Sequence, residues 1–415
     1  MSEGAVQLNH PIRPMTGRDP GERHRVATSL ELLLDLAFVA AIGIAASEFA
    51  HVLAEGHVGA ALLAFGFVMF AIIWAWINVS WFASAFDTDD WFYRLTTMVE
   101  MVGVLVLALG LSDVFESLDS GHGLENRVVV AGYVVMRLAL VVQWARVALQ
   151  SPRYRRTATA YIAYTAVAQV GWVALALSPA SLPVTLGCAC VLYLVELGGP
   201  LFAERKNGGT PWHPHHIAER YGLLTIIALG EGVLGTIAAV QPVIAEHGWS
   251  ADAIVLVAAG TVLTFGVWWV YFTVPFAQIL HQRPGAAFLF GYGHLPLFAS
   301  IAAMGAGLDL AAYVVEGTAE VGTFGAVQAV AMPVMVFMVV LFVLYAMLVR
   351  RLDLLHLGLF AGVVVALAGA LGLAASGAPF GVCVMIVAIA PAIVVVGYEL
   401  LGHRHARDHL AALAP

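Results

Sequence analysis

The chain has 415 residues, of which 61% are hydrophobic and only 11% charged, and its mean hydropathy is +0.89. Soluble domains carry about 25% charged residues, so this chain lacks the polar side chains to cover a water-facing surface and reads as solvated by lipid. A net charge of −8, with no basic run beyond Arg153, Arg155 and Arg156, speaks against nucleic acid as a partner.

Residues 1–29 are polar, with three prolines and Arg13, Arg18, Arg23 and Arg25, and read as a cytoplasmic tail rather than a cleaved signal peptide. Spanning a bilayer takes about 20 apolar residues. On that measure the sequence predicts an all-α polytopic membrane bundle of about twelve transmembrane helices. A first half, 30–203, holds helices at 30–50, 59–82, 93–112, 127–149, 158–177 and 182–203. A His-rich cytoplasmic connection, 204–218, follows. A second half, 219–402, holds helices at 219–240, 251–274, 288–307, 323–349, 354–375 and 380–402, and 403–415 is a second cytoplasmic tail. Turn formers such as Ser178-Pro179 and Arg283-Pro284-Gly285 mark the connections. Cys188, Cys190 and Cys383 lie in apolar segments with no Cys-x-x-Cys pair, so neither a disulfide framework nor a zinc ribbon is expected.

Cations set the expected orientation. The tail arginines, Arg94, Arg146 to Arg156, Arg205, Lys206, Arg220, Arg283, Arg350, Arg351, Arg404 and Arg407 all fall at the termini or the even connections. Arg127 is the exception. Both termini are therefore expected in the cytoplasm of a cell-membrane protein. Trp74 and Trp268 are 194 positions apart, Arg155 and Arg350 are 195 apart, and Glu100 and His294 each follow their tryptophan by 26. These offsets suggest a parallel six-plus-six duplication, which would set Glu100 and His294 at corresponding positions.

A charged group at mid-membrane costs roughly 2.5–3.5 kcal/mol, so each one is a functional candidate. Glu31 and Asp35 are four apart, about 40° around the first helix, and can face one partner. Glu31 also suits the positive end of a helix dipole. Glu100, Glu196 and His294 lie about two turns from the cytoplasmic ends of their helices, where a carboxylate and an imidazole can bind a proton or cation. Pro296, beside His294, suggests a local break. Arg137 is the available intramembrane cation for Glu231, which lies too far along its helix from Arg220 to touch it. His215 and Glu219 are four apart and His216 and Glu219 three apart, so either pair suits a divalent metal, the only cofactor the residues suggest.

The string Glu31-Leu32-Leu33-Leu34-Asp35-Leu36-Ala37-Phe38-Val39, the string from His216 through Glu219-Arg220-Tyr221-Gly222 to Gly230-Glu231, and Tyr292-Gly293-His294-Leu295-Pro296 together resemble the bacterial low temperature requirement A protein family. The family pattern has Phe within the first string, where this chain has Leu33 and Leu34. The resemblance covers essentially the whole chain and implies a multi-pass protein named for growth in the cold. It marks Glu31, Asp35, Glu219, Arg220, Glu231 and His294 as motif residues without supplying a reaction.

Three functions compete. Helix count, duplication and paired ionisable residues favour a secondary transporter for a small molecule or ion. The concentration of candidates in the inner half (Glu31, Asp35, Glu100, Glu196, His215, His216, Glu219, His294) favours a membrane-embedded enzyme acting on a lipid or lipophilic metabolite. A lipid-adaptation factor without turnover is the third. No nucleotide-binding loop, nucleophile elbow or major-facilitator Gly-x-x-x-Asp-Arg loop occurs, so ATP-driven transport by this chain alone is not expected.

Overall fold

A computed structural model of the chain describes residues 10–22, 25–121, 123–351 and 353–413. Arg23 and the two ends of the expected tails, 1–9 and 414–415, lie outside them. All regular secondary structure among the described residues is helical. In chain order the helices are α1 (Ser29–Ala54), α2 (Val58–Phe86), α3 (Trp91–Leu109), α4 (Leu111–Asp119), α5 (Arg127–Gln150), α6 (Arg155–Ala176), α7 (Leu182–Lys206) and α8 (Pro214–Ala228). There follow α9 (Gly230–His247), α10 (Ala251–Phe272), α11 (Phe276–Gln282), α12 (Ala287–Val315), α13 (Thr323–Val349), α14 (Leu354–Ala375), α15 (Phe380–Gly397) and α16 (His403–Leu413). A 3-10 turn at Pro284–Ala286 leads into α12, and a π-helical turn at Tyr398–Gly402 joins α15 to α16. Taken singly or as consecutive pairs, these make twelve segments long and apolar enough to cross a membrane. The chain is a polytopic membrane protein.

Helix starts follow the capping residues. Asp90 accepts from the Tyr93 N–H at 2.8 Å to open α3, Ser250 from Ala253 at 3.2 Å to open α10, and Asp353 from His356 at 2.8 Å to open α14. The apolar runs at 323–349 and 354–375 are helical over their whole predicted length. Two predicted helices are interrupted instead. The third span breaks at Gly110 and continues as α4, and the seventh starts five residues early at Pro214 and is interrupted at Leu229. The break suggested at Pro296 is absent: α12 runs through it. A proline removes one backbone donor, and a long helix held by neighbours on both flanks tolerates that loss.

The described chain forms two compact units. Unit 1 draws on Met1–Phe38, Ala75–Asp113 and His122–Ile217, and unit 2 on Val39–Trp74, Val114–Gly121 and Ala218–Pro415. In unit 1, α3 packs on α5, α5 on α6 and α6 on α7. The α3–α5 approach is close enough to need glycine: a Cβ on Gly103 would lie 2.7 Å from the Gly132 carbonyl oxygen. The Trp144 and Tyr161 rings stack 4.0 Å apart within this unit. In unit 2, α12 packs on α9 and α13, and α15 on α10 and α14. α1 and α2 each contribute to both units.

Candidate functional site

In unit 1 the polar residues gather where α1, α2 and α8 begin or end. Thr28 and Glu31 form a reciprocal cap on α1: the Thr28 N–H donates to Glu31 Oε2 at 2.7 Å, and the Glu31 N–H donates to Thr28 Oγ1 at 3.2 Å. Capping leaves Glu31 Oε1 directed at the fully buried His216, whose Nε2 is 3.1 Å away. One turn along α1, Asp35 is fully buried and its Oδ1 accepts from the Trp76 indole N–H at 2.7 Å. Glu31 and Asp35 therefore do face polar partners, but different ones, an imidazole and an indole.

His216 is held by its own helix start. Its backbone N–H donates to His213 Nδ1 at 3.2 Å, so His213 caps α8 with a ring nitrogen. That assigns the proton of His213 to Nε2, which donates to the Glu22 carbonyl at 2.9 Å. His215 is exposed while His216 is buried, so the two histidines proposed as metal ligands turn to different surroundings. Among the described residues, the group whose ligand atoms converge within 4.8 Å is a different one, Glu55, His57 and Asp119.

The connection between α2 and α3 carries two aspartates that the sequence reading passed over. Asp90 is fully buried and takes both arms of Arg146, the Arg13 N–H at 3.0 Å and the Tyr93 N–H. Burial opposes its ionisation, yet these donors, Arg146 foremost, outweigh it and hold the carboxyl down at about 2. Asp87 goes the other way. Burial, reinforced by the charge of Glu31, pushes it up to about 6 against the pull of Arg25, whose guanidinium is 3.5 Å away.

Farther along unit 1, the partner of Arg137 is Glu196 at 2.7 Å, both buried, with the Tyr133 hydroxyl at 3.1 Å and its ring 4.9 Å beneath the guanidinium. This corrects the expected pairing of Arg137 with Glu231: α7 presents Glu196 to α5 across intervening α6, a proximity that linear spacing does not report. Glu100 is buried on α3. Glu204, also unremarked in the sequence, accepts from Trp81 at 3.0 Å, Tyr161 at 2.9 Å and the Thr210 N–H at 2.8 Å, and so fastens the connection before α8.

Unit 2 contains the interrupted helix. Glu231 stands in the first turn of α9, just past Leu229 and Gly230. Its surroundings are glycines. A Cβ on Gly43 of α1 would lie 2.8 Å from Glu231 Oε1, and one on Gly305 of α12 would lie 2.7 Å from the Glu231 carbonyl carbon. α1 thus approaches the carboxylate of Glu231 and α12 its backbone, each through a glycine. His294 sits elsewhere in the unit within an aromatic cage of Tyr221, Tyr271, Phe276, Phe290 and Phe298. Its Nδ1 is 2.7 Å from the Phe290 carbonyl, so it donates there, and Nε2 accepts from the Tyr271 hydroxyl at 3.0 Å. Both ring nitrogens are thereby engaged inside this unit. Arg220 is fully buried one helix turn before Leu224, and Glu219 is half-buried beside it.

The motifs that carry these sites decide the family. A model of the bacterial low temperature requirement A protein (LtrA) matches residues 26–391. The chain belongs to this family. It is also 28% identical to an uncharacterized protein of Rhizobium meliloti (strain 1021), over 67% of this chain and 68% of that one. No solved structure matches. The LtrA match takes in Glu31, Asp35, His216, Glu219, Arg220, Glu231 and His294, and all of them lie on the helices described above.

Proposed function

We propose that this LtrA protein is a proton- or cation-coupled secondary transporter for a small molecule or ion. The observation that carries the reading is the interruption of the seventh span at Leu229, which sets Glu231 in the first turn of a half-helix where Gly43 and Gly305 bring two other helices to it. Discontinuous membrane helices with an ionisable residue at the break are a recurrent device for binding coupling ions. In this reading Glu231 binds the coupling proton or cation. Asp35, Glu31 and His216 form a second polar station, Glu219 and Arg220 orient the substrate, and Glu100, Arg137, Glu196 and His294 support the pathway. The arginine distribution puts tails 1–29 and 403–415 and connection 204–218 in the cytoplasm, and the two membrane halves are 30–203 and 219–402.

The test is reconstitution of the purified protein in proteoliposomes with an internal pH dye, challenged with amino acids, organic acids, amines and metal ions. At least one class should drive a pH change or exchange current in the wild type. Glu231→Gln should abolish it while its thermal unfolding stays within a few degrees of wild type. Flux that survives Glu231→Gln, or silence across the panel, overturns the reading.

A further inference from the structure

A groove of about 520 Å³ runs along the outside of unit 2 between α13 and α14. Its walls are Val339, Val343, Ala346 and Met347 of α13 and Leu357 and Phe360 of α14. The α13 residues fall at i, i+4, i+7 and i+8, one continuous apolar stripe, and Val343, Met347 and Leu357 are each at least half exposed. The stripe ends at Arg350, eleven residues from Val339, or about 16 Å along the helix. That length matches one leaflet of the hydrocarbon core, half of about 30 Å.

The mouth of the groove is cationic. Arg350 and Arg351 line it, both are exposed, and neither guanidinium has an ion pair or side-chain hydrogen bond among the described residues. Arg283, nearby in the fold, has its guanidinium committed to the Met347 and Leu348 carbonyls at the end of α13.

The backbone adds an independent observation. Arg350 is left-handed, with φ 55° and ψ 35°, at the position where the Arg350 and Arg351 N–H groups both close back on the Ala346 carbonyl. Glycine is the usual residue there, since it alone takes that conformation without a Cβ clash. Helix termination therefore does not need an arginine at 350, and its presence sets a charge at the end of the apolar stripe at the expense of local strain.

We infer that this groove binds one anionic phospholipid, with an acyl chain along the α13 stripe and the phosphate held by Arg350 and Arg351. Apolar walls of one-leaflet length fit a fatty chain, and two guanidiniums with no ion pair among the described residues fit a phosphate diester. The inference does not depend on the transport reading.

The full-length protein in uncharged detergent is titrated with phosphatidylglycerol, with phosphatidylcholine of the same chains, and with inorganic phosphate, and bound lipid is counted by native mass spectrometry. One phosphatidylglycerol per chain should bind preferentially. At about 1 kcal/mol per cation, removing one arginine should weaken that preference about fivefold and Arg350→Ala/Arg351→Ala about thirtyfold. Arg350→Gly separates binding from folding, because it should lower the preference about fivefold while raising the midpoint of thermal unfolding. Ala346→Trp, which fills the groove, should weaken both lipids. An undiminished preference in the double variant, an undiminished preference in a stabilised Arg350→Gly protein, full lipid binding by Ala346→Trp, or equal binding of inorganic phosphate would each overturn the assignment.

Discussion

Asp90 caps α3 through the Tyr93 N–H and at the same time takes the two arms of Arg146, so its charge is bound from two sides. A carboxyl depressed from its ordinary 3.8 to about 2 contributes stability that is complete above pH 4 and is lost as the pH falls through 2. That contribution is about 2 kcal/mol. Asn keeps the cap but not the charge, so Asp90→Asn leaves Arg146 buried without its counter-ion. It should destabilise the protein by about 3 kcal/mol at pH 7 and flatten the acid limb of its stability profile, as read by thermal unfolding in detergent. Asp87, three residues earlier, has the opposite sign. Its carboxyl is raised from 3.8 to about 6, so the stability it contributes is complete below pH 4 and gone above 6. The difference in unfolding midpoint between Asp87→Asn and wild type should therefore be more favourable at pH 7.5 than at pH 5. An equal difference at both values would show that Asp87 ionises normally. Neither aspartate stood out in the sequence, because both lie in a connection where charge is ordinary. Their interest comes from burial, which only the fold confers. Glu31, Asp35, His216 and Glu231 were legible earlier, since a charge inside an apolar run is conspicuous wherever the run folds.

At the level of elements, hydropathy located every span but could not see inside them. The residues on either side of Leu229 and Gly110 are as apolar as those of an unbroken helix, so periodicity runs through both interruptions. The sequence instead drew attention to Pro296, where the helix stays whole. Close packing explains why the glycines matter more than the proline. A Cβ on Gly305 would meet Glu231 backbone, which cannot rotate away as a side chain can, so α9 and α12 would have to part. Gly369 of α14 has open space at the same test. Alanine favours a helix over glycine by about 1 kcal/mol, so Gly369→Ala should be neutral or stabilising. Gly305→Ala should lose about 1–3 kcal/mol despite the same propensity gain. Thermal unfolding of the two variants side by side decides it, and equal midpoints would mean that the α9–α12 approach is looser than the backbone geometry indicates. Partner choice was hidden for a related reason. Arg137 and Glu196 are 59 positions apart, and only the packing of α5, α6 and α7 makes them neighbours.

For the whole molecule, twelve spans follow from composition, whereas the division into two units does not. α1 and α2 each change unit part-way along, a partition set by tertiary contacts that no offset of tryptophans or arginines reports. The side of the membrane on which each connection lies is a separate question, and the orientation proposed above rests on the tendency of lysine and arginine to be retained on the cytoplasmic side during insertion. Lys206 closes α7 at the sixth connection and Ser376 follows α14 at the eleventh, and both are exposed. Five spans separate them, so twelve spans put them on opposite faces, and the proposed orientation has Lys206 inside. With Cys188, Cys190 and Cys383 replaced by Ala, a membrane-impermeant maleimide should label Ser376→Cys in intact cells and Lys206→Cys only after lysis. The reverse result would invert the orientation and leave the span count intact. Labelling of both from one side would instead remove or add a span between α8 and α14, and with it the placement of Glu231 within the bilayer on which the transport proposal rests.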